Sequence, residues 1–109
     1  MSNVMINIAK EYTKTPGGRY IHEGPFSGED FRERQLIPAV KKAMDANCHL
    51  VIILDGGFGY APSFLEEAFG GLIRKMQNQQ VISMIHIISD EEPKLIEDVK
   101  KYMVEALKG

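Results

Sequence analysis

Residues 50–54, Leu50-Val51-Ile52-Ile53-Leu54, run without a polar interruption into Asp55-Gly56-Gly57-Phe58-Gly59-Tyr60-Ala61-Pro62-Ser63. An apolar stripe at helical spacing follows: Phe64, Leu65, Ala68, Phe69, Leu72, Ile73 and Met76. Five apolar residues in a row suit a central strand covered on both faces, by helices or by a partner. The stripe suits an amphipathic helix. A strand that passes to a helix through a glycine-rich loop is the building unit of an α/β fold, and ligands gather at such loops.

On the N-terminal side, Val4, Ile6 and Ile8 alternate with Met5, Asn7 and Ala9, and Arg19-Tyr20-Ile21-His22 follows Thr15-Pro16-Gly17-Gly18. Two extended runs around a Pro-Gly-Gly turn predict a β-hairpin. Ser27-Gly28-Glu29-Asp30 has the spacing of a helix start, with Phe31, Ile37, Val40 and Met44 as an inward stripe running towards Asn47. Pro38 predicts a kink near Arg34 or a restart with Pro38 in the first turn. On the C-terminal side residues 81–88 read as a strand. Pro93 opens a last helix with Leu95, Ile96, Val99, Tyr102, Met103 and Ala106 as its buried stripe. The order β, β, α, β, α, β, α predicts one α/β domain over residues 1–109. Its sheet is expected to be mixed, of about four strands with an antiparallel hairpin at its start, beside three main helices.

The chain has 109 residues, 44% hydrophobic and 26% charged, with a net charge of -2. That is enough for one core, and the scattered basic residues offer no footprint for a nucleic-acid backbone. No apolar run has the length of a membrane span, and Met1-Ser2-Asn3-Val4 does not open a leader, so a cytoplasmic protein is expected. Cys48 is a single cysteine and is expected to pack as a small hydrophobe. His22, His49 and His86 lack metal-ligand spacing, and no metal or cofactor is predicted.

Three stretches carry a resemblance to a known family. Residues 24–32 (Gly-Pro-Phe-Ser-Gly-Glu-Asp-Phe-Arg), the strand ending in Asp55, and residues 62–70 (Pro-Ser-Phe-Leu-Glu-Glu-Ala-Phe-Gly) resemble the STAS-like domains of unknown function. These are small bacterial relatives of the anti-sigma-factor antagonists. In the antagonists a strand leads into Asp-Ser-Ser-Gly at a helix start, and the second serine is phosphorylated by an ATPase-type anti-sigma kinase. Ser63 matches that second serine, within Ala61-Pro62-Ser63-Phe64. The resemblance implies a STAS-like fold and a non-enzymatic signalling module. Its partner would be a protein of the histidine-kinase-like ATPase kind, and phosphorylation at Ser63 would be its switch.

Each of these residues also has a plain reading. Ser63-Phe64-Leu65-Glu66 fits a capping box, in which the serine oxygen takes a backbone amide and Glu66 reaches back. Asp55 either faces a ligand or bonds loop amides. Gly57, Phe58 and Gly59 lack the third glycine and the lysine of nucleotide-binding loops, so they read as a turn, with a small-molecule or nucleotide site as the alternative. The Gly-x-Ser-x-Gly elbow of a hydrolase is absent around Ser63. Ser27, Asp30 and Arg32 belong to a mixed-charge run that is either a solvated face or part of a docking edge. Phe58, Tyr60 and Phe64 would be the aromatic anchors of that edge. A homodimer is a further way to cover residues 50–54.

Overall fold

In the computed structural model, which describes residues 3–108, β2 (Leu50–Ile53) is the centre of a parallel sheet, with β1 (Val4–Asn7) on one side and β3 (Ile85–Ile88) on the other. Val4 pairs with Leu50 and Leu50 with Ile85, and the register continues to Asn7, Ile53 and Ile88. Among the described residues the sheet has three strands, all parallel, rather than four with a hairpin. β1 stops early because Asn7 caps a one-turn helix, α1 (Ile8–Glu11), its side chain accepting from the Lys10 amide. Residues 19–22 form no strand because the Glu23 carboxylate takes the amides of Arg19 (2.7 Å) and Tyr20 (2.8 Å) and winds Ile21–Glu23 into a 3-10 turn.

Strands that follow one another across the sheet in chain order, joined by right-handed crossovers, carry their connecting helices on one face. That face presents Ile6, Leu50, Ile52 and Ile85, all buried in one core with Phe31, Phe64, Phe69, Leu72 and Val99. The other face presents Met5, Asn7, Val51, Ile53, His86 and Ile88, of which Met5 and Ile88 are exposed and Val51 and Ile53 half-buried. The strand is thus sealed on one face only, against the expectation of cover on both.

α2 (residues 28–46) joins three stretches: Gly28–Phe31, a π-helical Arg32–Leu36, and Ile37–Ala46 with Pro38 in its first turn. In the π stretch the Ile37 amide donates to Arg32, five residues back, so the helix is already out of α register where Pro38 removes a donor. The extra residue also rotates the stripe. Phe31, Leu36, Val40 and Ala43 are buried, whereas Met44, expected inside, is exposed and Ile37 only half-buried. Asn47 ends the helix in the left-handed conformation, φ 54°.

α3 (residues 62–76) begins at Pro62 and carries its own π stretch, Glu66–Gly70. Its expected stripe is buried from Phe64 to Ile73, and Met76 is half-buried. The strand expected over residues 81–88 is split: α4 (Gln79–Met84), capped by Asn78, leaves β3 only its last four residues. α5 (Lys94–Lys108) closes the core with Leu95, Val99, Met103 and Ala106, while Ile96 faces solvent.

Candidate functional site

The loops that leave the carboxyl ends of β1, β2 and β3 meet at one edge of the sheet, and hydrogen bonds between them fix the loop of residues 55–60. Asp55 accepts from the amides of Asp90 (3.0 Å) and Glu91 (2.9 Å), and Glu91 returns a bond to the Gly56 amide (2.9 Å). On the other flank the Phe58 amide donates to the Lys14 carbonyl at 2.9 Å. Gly57 lies against that same carbonyl, where a Cβ would stand 3.1 Å from its oxygen. Gly56 and Gly59 turn the chain at φ 95° and 115°, a region that favours glycine. Asp55 therefore bonds loop amides, the plainer of its two readings.

A cleft of about 320 Å³ lies between this loop and the β3–α5 loop, lined by Leu54, Asp55, Gly57, Phe58, Gly59 and Tyr60 on one side and Ser89, Glu91, Glu92 and Leu95 on the other. The Tyr60 hydroxyl donates to the Leu54 carbonyl at 2.9 Å. Burial, with the charges of Asp55 and Glu91, pushes its pKa up to about 12, so it remains a neutral donor. A larger cavity, about 460 Å³, opens around Cys48 and His49 at the opposite edge.

The aromatic residues divide. Phe58 is 83% exposed at the tip of the braced loop. Tyr60 is half-buried, and Phe64 is fully buried, its ring 6.0 Å from Tyr60 and 5.9 Å from Phe31. One of the three expected anchors is thus presented outright, one in part and one not at all. Tyr20, Ile21 and Phe26, in the loop before α2, supply further exposed apolar surface.

Ser63 is not the cap of α3. That position belongs to Ala61, with no side-chain bond, and Pro62 and Ser63 are the first two helical residues. Pro62 suits the first helical position, where a missing amide costs nothing, and this sets the frame two residues away from the capping box. Glu66, the other half of that box, binds the guanidinium groups of Arg19 and Arg74. Ser63 is half-buried in the first turn of a helix.

The candidates on α2 are largely occupied. Ser27 is buried and caps the helix, its hydroxyl accepting from the Asp30 amide at 3.0 Å. Asp30 accepts from the Tyr12 hydroxyl (2.6 Å) and pairs with Arg34 (3.3 Å). Burial, then Asp30, raises the pKa of Tyr12. Arg32, expected on a solvated face, is buried and bridges to the Glu67 carboxylate (2.6 Å) and the Glu67 carbonyl (2.8 Å). The network of Arg19, Arg32, Glu66, Glu67 and Arg74 escaped the sequence reading, because only Glu66, Glu67 and Arg74 share a helix.

Among the described residues no group of three or more His, Cys, Asp or Glu side chains could hold a metal ion. His22 stacks on Tyr20, and His49 meets His86 edge to face with ring centres 4.5 Å apart. Among the described residues no helix is long and apolar enough to cross a membrane.

A family model described as a STAS-like domain of unknown function (DUF4325) matches residues 27–95. This chain belongs to that family. No curated protein and no solved structure matches it. In this STAS-like domain the matched segment begins at Ser27, the cap of α2, and ends at Leu95 in the first turn of α5. It takes in the braced loop, Ser63 and both π stretches, and leaves out β1 and the loop that carries Tyr20 and Ile21.

Proposed function

We propose that this STAS-like domain is a non-enzymatic docking module whose protein partner seats on the carboxyl edge of the sheet. The partner is expected to be an ATPase of the histidine-kinase-like kind, as for the anti-sigma-factor antagonists that the sequence resembles. The reading rests on Phe58: a large aromatic held out in water on a loop braced from both flanks binds with little loss of backbone freedom, and such aromatics dominate interface energies. Tyr20, Ile21 and Phe26 extend the apolar surface of the loops beside it.

Phosphorylation of Ser63 is the regulatory half of the proposal. A phosphate there would lie at the positive end of α3, a placement worth roughly 0.3–1 kcal/mol through the helix dipole, since Pro62 has no amide and the Phe64 and Leu65 amides already donate to the Ala61 carbonyl. Glu66 and Glu67, one turn further along the same face, would repel it, but both are already paired with arginines. The phosphate would compete for Arg19, which binds both carboxylates and is chain neighbour to Tyr20 and Ile21. A nucleotide in the neighbouring cleft is less well supported, since Asp55, Glu91 and Glu92 line it and would oppose phosphate.

Co-purification from the native cell with wild-type, Phe58→Ala and Ser63→Asp baits tests the reading. Phe58→Ala should lose the partner with stability changed by less than about 0.5 kcal/mol, since the ring is exposed. Ser63→Asp should change recovery relative to wild type. Equal recovery by all three baits overturns the proposal.

A further inference from the structure

We infer that the free edge of β3 pairs antiparallel with β3 of a second copy, joining two three-stranded sheets into one across a two-fold axis. Among the described residues β3 has a ladder partner on one side only, β2. The Ile88 carbonyl accepts from the Leu54 amide at 2.8 Å, so Ile88 and, by alternation, His86 direct their backbone groups towards β2. Ile85 and Ile87 therefore present theirs to the open side. Edge strands of monomers carry charges, prolines or bulges that discourage pairing. Ile85-His86-Ile87-Ile88 has no Asp, Glu, Lys or Arg, no proline, and an unbroken register with β2.

The space beside that edge is already shaped for a strand. A groove of about 340 Å³ runs along Ile85, His86 and Ile87, with Ile82 and Ser83 at its head and Ile96, Lys100 and Met103 of α5 as its far wall. Backbone groups along one wall, and along the other a helix wall on which Ile96 and Met103 flank Lys100, are the two elements of strand addition, the first giving affinity and the second pockets for alternate side chains. Ile96 on the far wall and Val104, two turns further along α5, are both exposed.

A second copy fits this edge better than an unrelated strand, because a two-fold contact needs one self-complementary patch. β3 matches itself, being apolar with its free amides and carbonyls alternating. Beside the groove wall α5 carries both signs, Glu97 next to Lys100 and Lys101, so antiparallel helices can set Glu97 of one copy against a lysine of the other. Its fifteen residues make a rod of about 22 Å, long enough with β3 for the roughly 800 Å² a side of a standard interface.

Light scattering on the eluted protein, from low micromolar to about 1 mM, combined with residue-level amide exchange, tests this. The expected mass at high concentration is near twice the 12.3 kDa of one chain, with the Ile85 and Ile87 amides exchanging at least about tenfold more slowly than in dilute protein. Ile87→Pro removes an outward amide without touching the β2 ladder and should give monomer, as should Ile96→Asp on the groove wall, where the backbone is untouched. A single-chain mass at every concentration overturns the inference. So does a dimer in which Ile85 and Ile87 exchange as in dilute protein, since its interface then lies elsewhere.

Discussion

A side chain at position 28 has no room. A Cβ there would collide with the Phe64 carbonyl oxygen of α3 and stand 3.0 Å from the Glu67 Cβ and 3.2 Å from the Ala68 amide. Alanine in a helix is normally favoured over glycine by roughly 0.5–1 kcal/mol, but forcing two helix backbones apart costs about 1–3 kcal/mol. The second effect wins, so Gly28→Ala should lower stability by about 1–2 kcal/mol in urea unfolding, whereas Gly17→Ala, with open space around it, should not. The sequence reads Ser27 correctly as a cap, because capping is a matter of three adjacent residues. It offers no reason for the glycine that follows, since the obstructing atom belongs to another helix. Ser63 shows the reverse. Its capping pattern is present in the sequence, yet Pro62 shifts the helix start by two residues, and Arg19 from the loop before α2 and Arg74 two turns further along α3 take Glu66. Local chemistry is legible where nothing distant competes for the same atoms.

α2 and α3 meet through their π stretches, and the contact is anchored by Arg32 on Glu67. Gly71 makes it feasible: a Cβ at that position would overlap the Arg32 guanidinium. Each π stretch inserts a residue, and in α2 this turns Leu36 and Ala43 inward in place of Ile37 and Met44. A period of 3.6 cannot foresee that shift. The spacing from Phe31 to Leu36, five residues between buried positions, is its only trace in the sequence. Removing one partner of a buried ion pair strands the other charge, which costs more than replacing both. Arg32→Met should therefore destabilise by about 3 kcal/mol, and Arg32→Met with Glu67→Leu should recover most of that loss in a double-mutant cycle. Two additive losses would mean that the pair is not the unit of the contact.

At the scale of the molecule, the strand at residues 50–53 and the burial of α3 followed from runs of apolar residues long enough to outweigh local turns. The expected hairpin did not form: residues 4–7 pair with β2 instead, and at residues 19–22 the Glu23 carboxylate claims the backbone amides first. Other acidic residues, Glu66 and Glu67, tie the loop before α2 to α3 through Arg19, and Glu66 with Glu33 sets the response to pH. Hydrogen bonding from Arg74 first, and from Arg19, holds the Glu66 carboxyl below its ordinary value of 4.5. Arg32, and then Lys75, hold Glu33 below it as well. A folded-state value lower than the unfolded one means that the unfolded chain takes up the proton first as the solution is acidified. The contribution of these pairs is therefore complete above pH 4.5 and disappears as pH falls through the lower, folded-state values. Thermal unfolding followed from pH 7 to pH 3 should show a flat melting temperature that drops below about pH 4.5. Glu66→Gln keeps a hydrogen-bonding side chain but cannot titrate. It should start from a lower melting temperature at pH 7 and fall less steeply on acidification, so that the two curves converge. Parallel curves would show that Glu66 contributes nothing to the acid limb and that the arginines around it hold α3 through Glu67 alone.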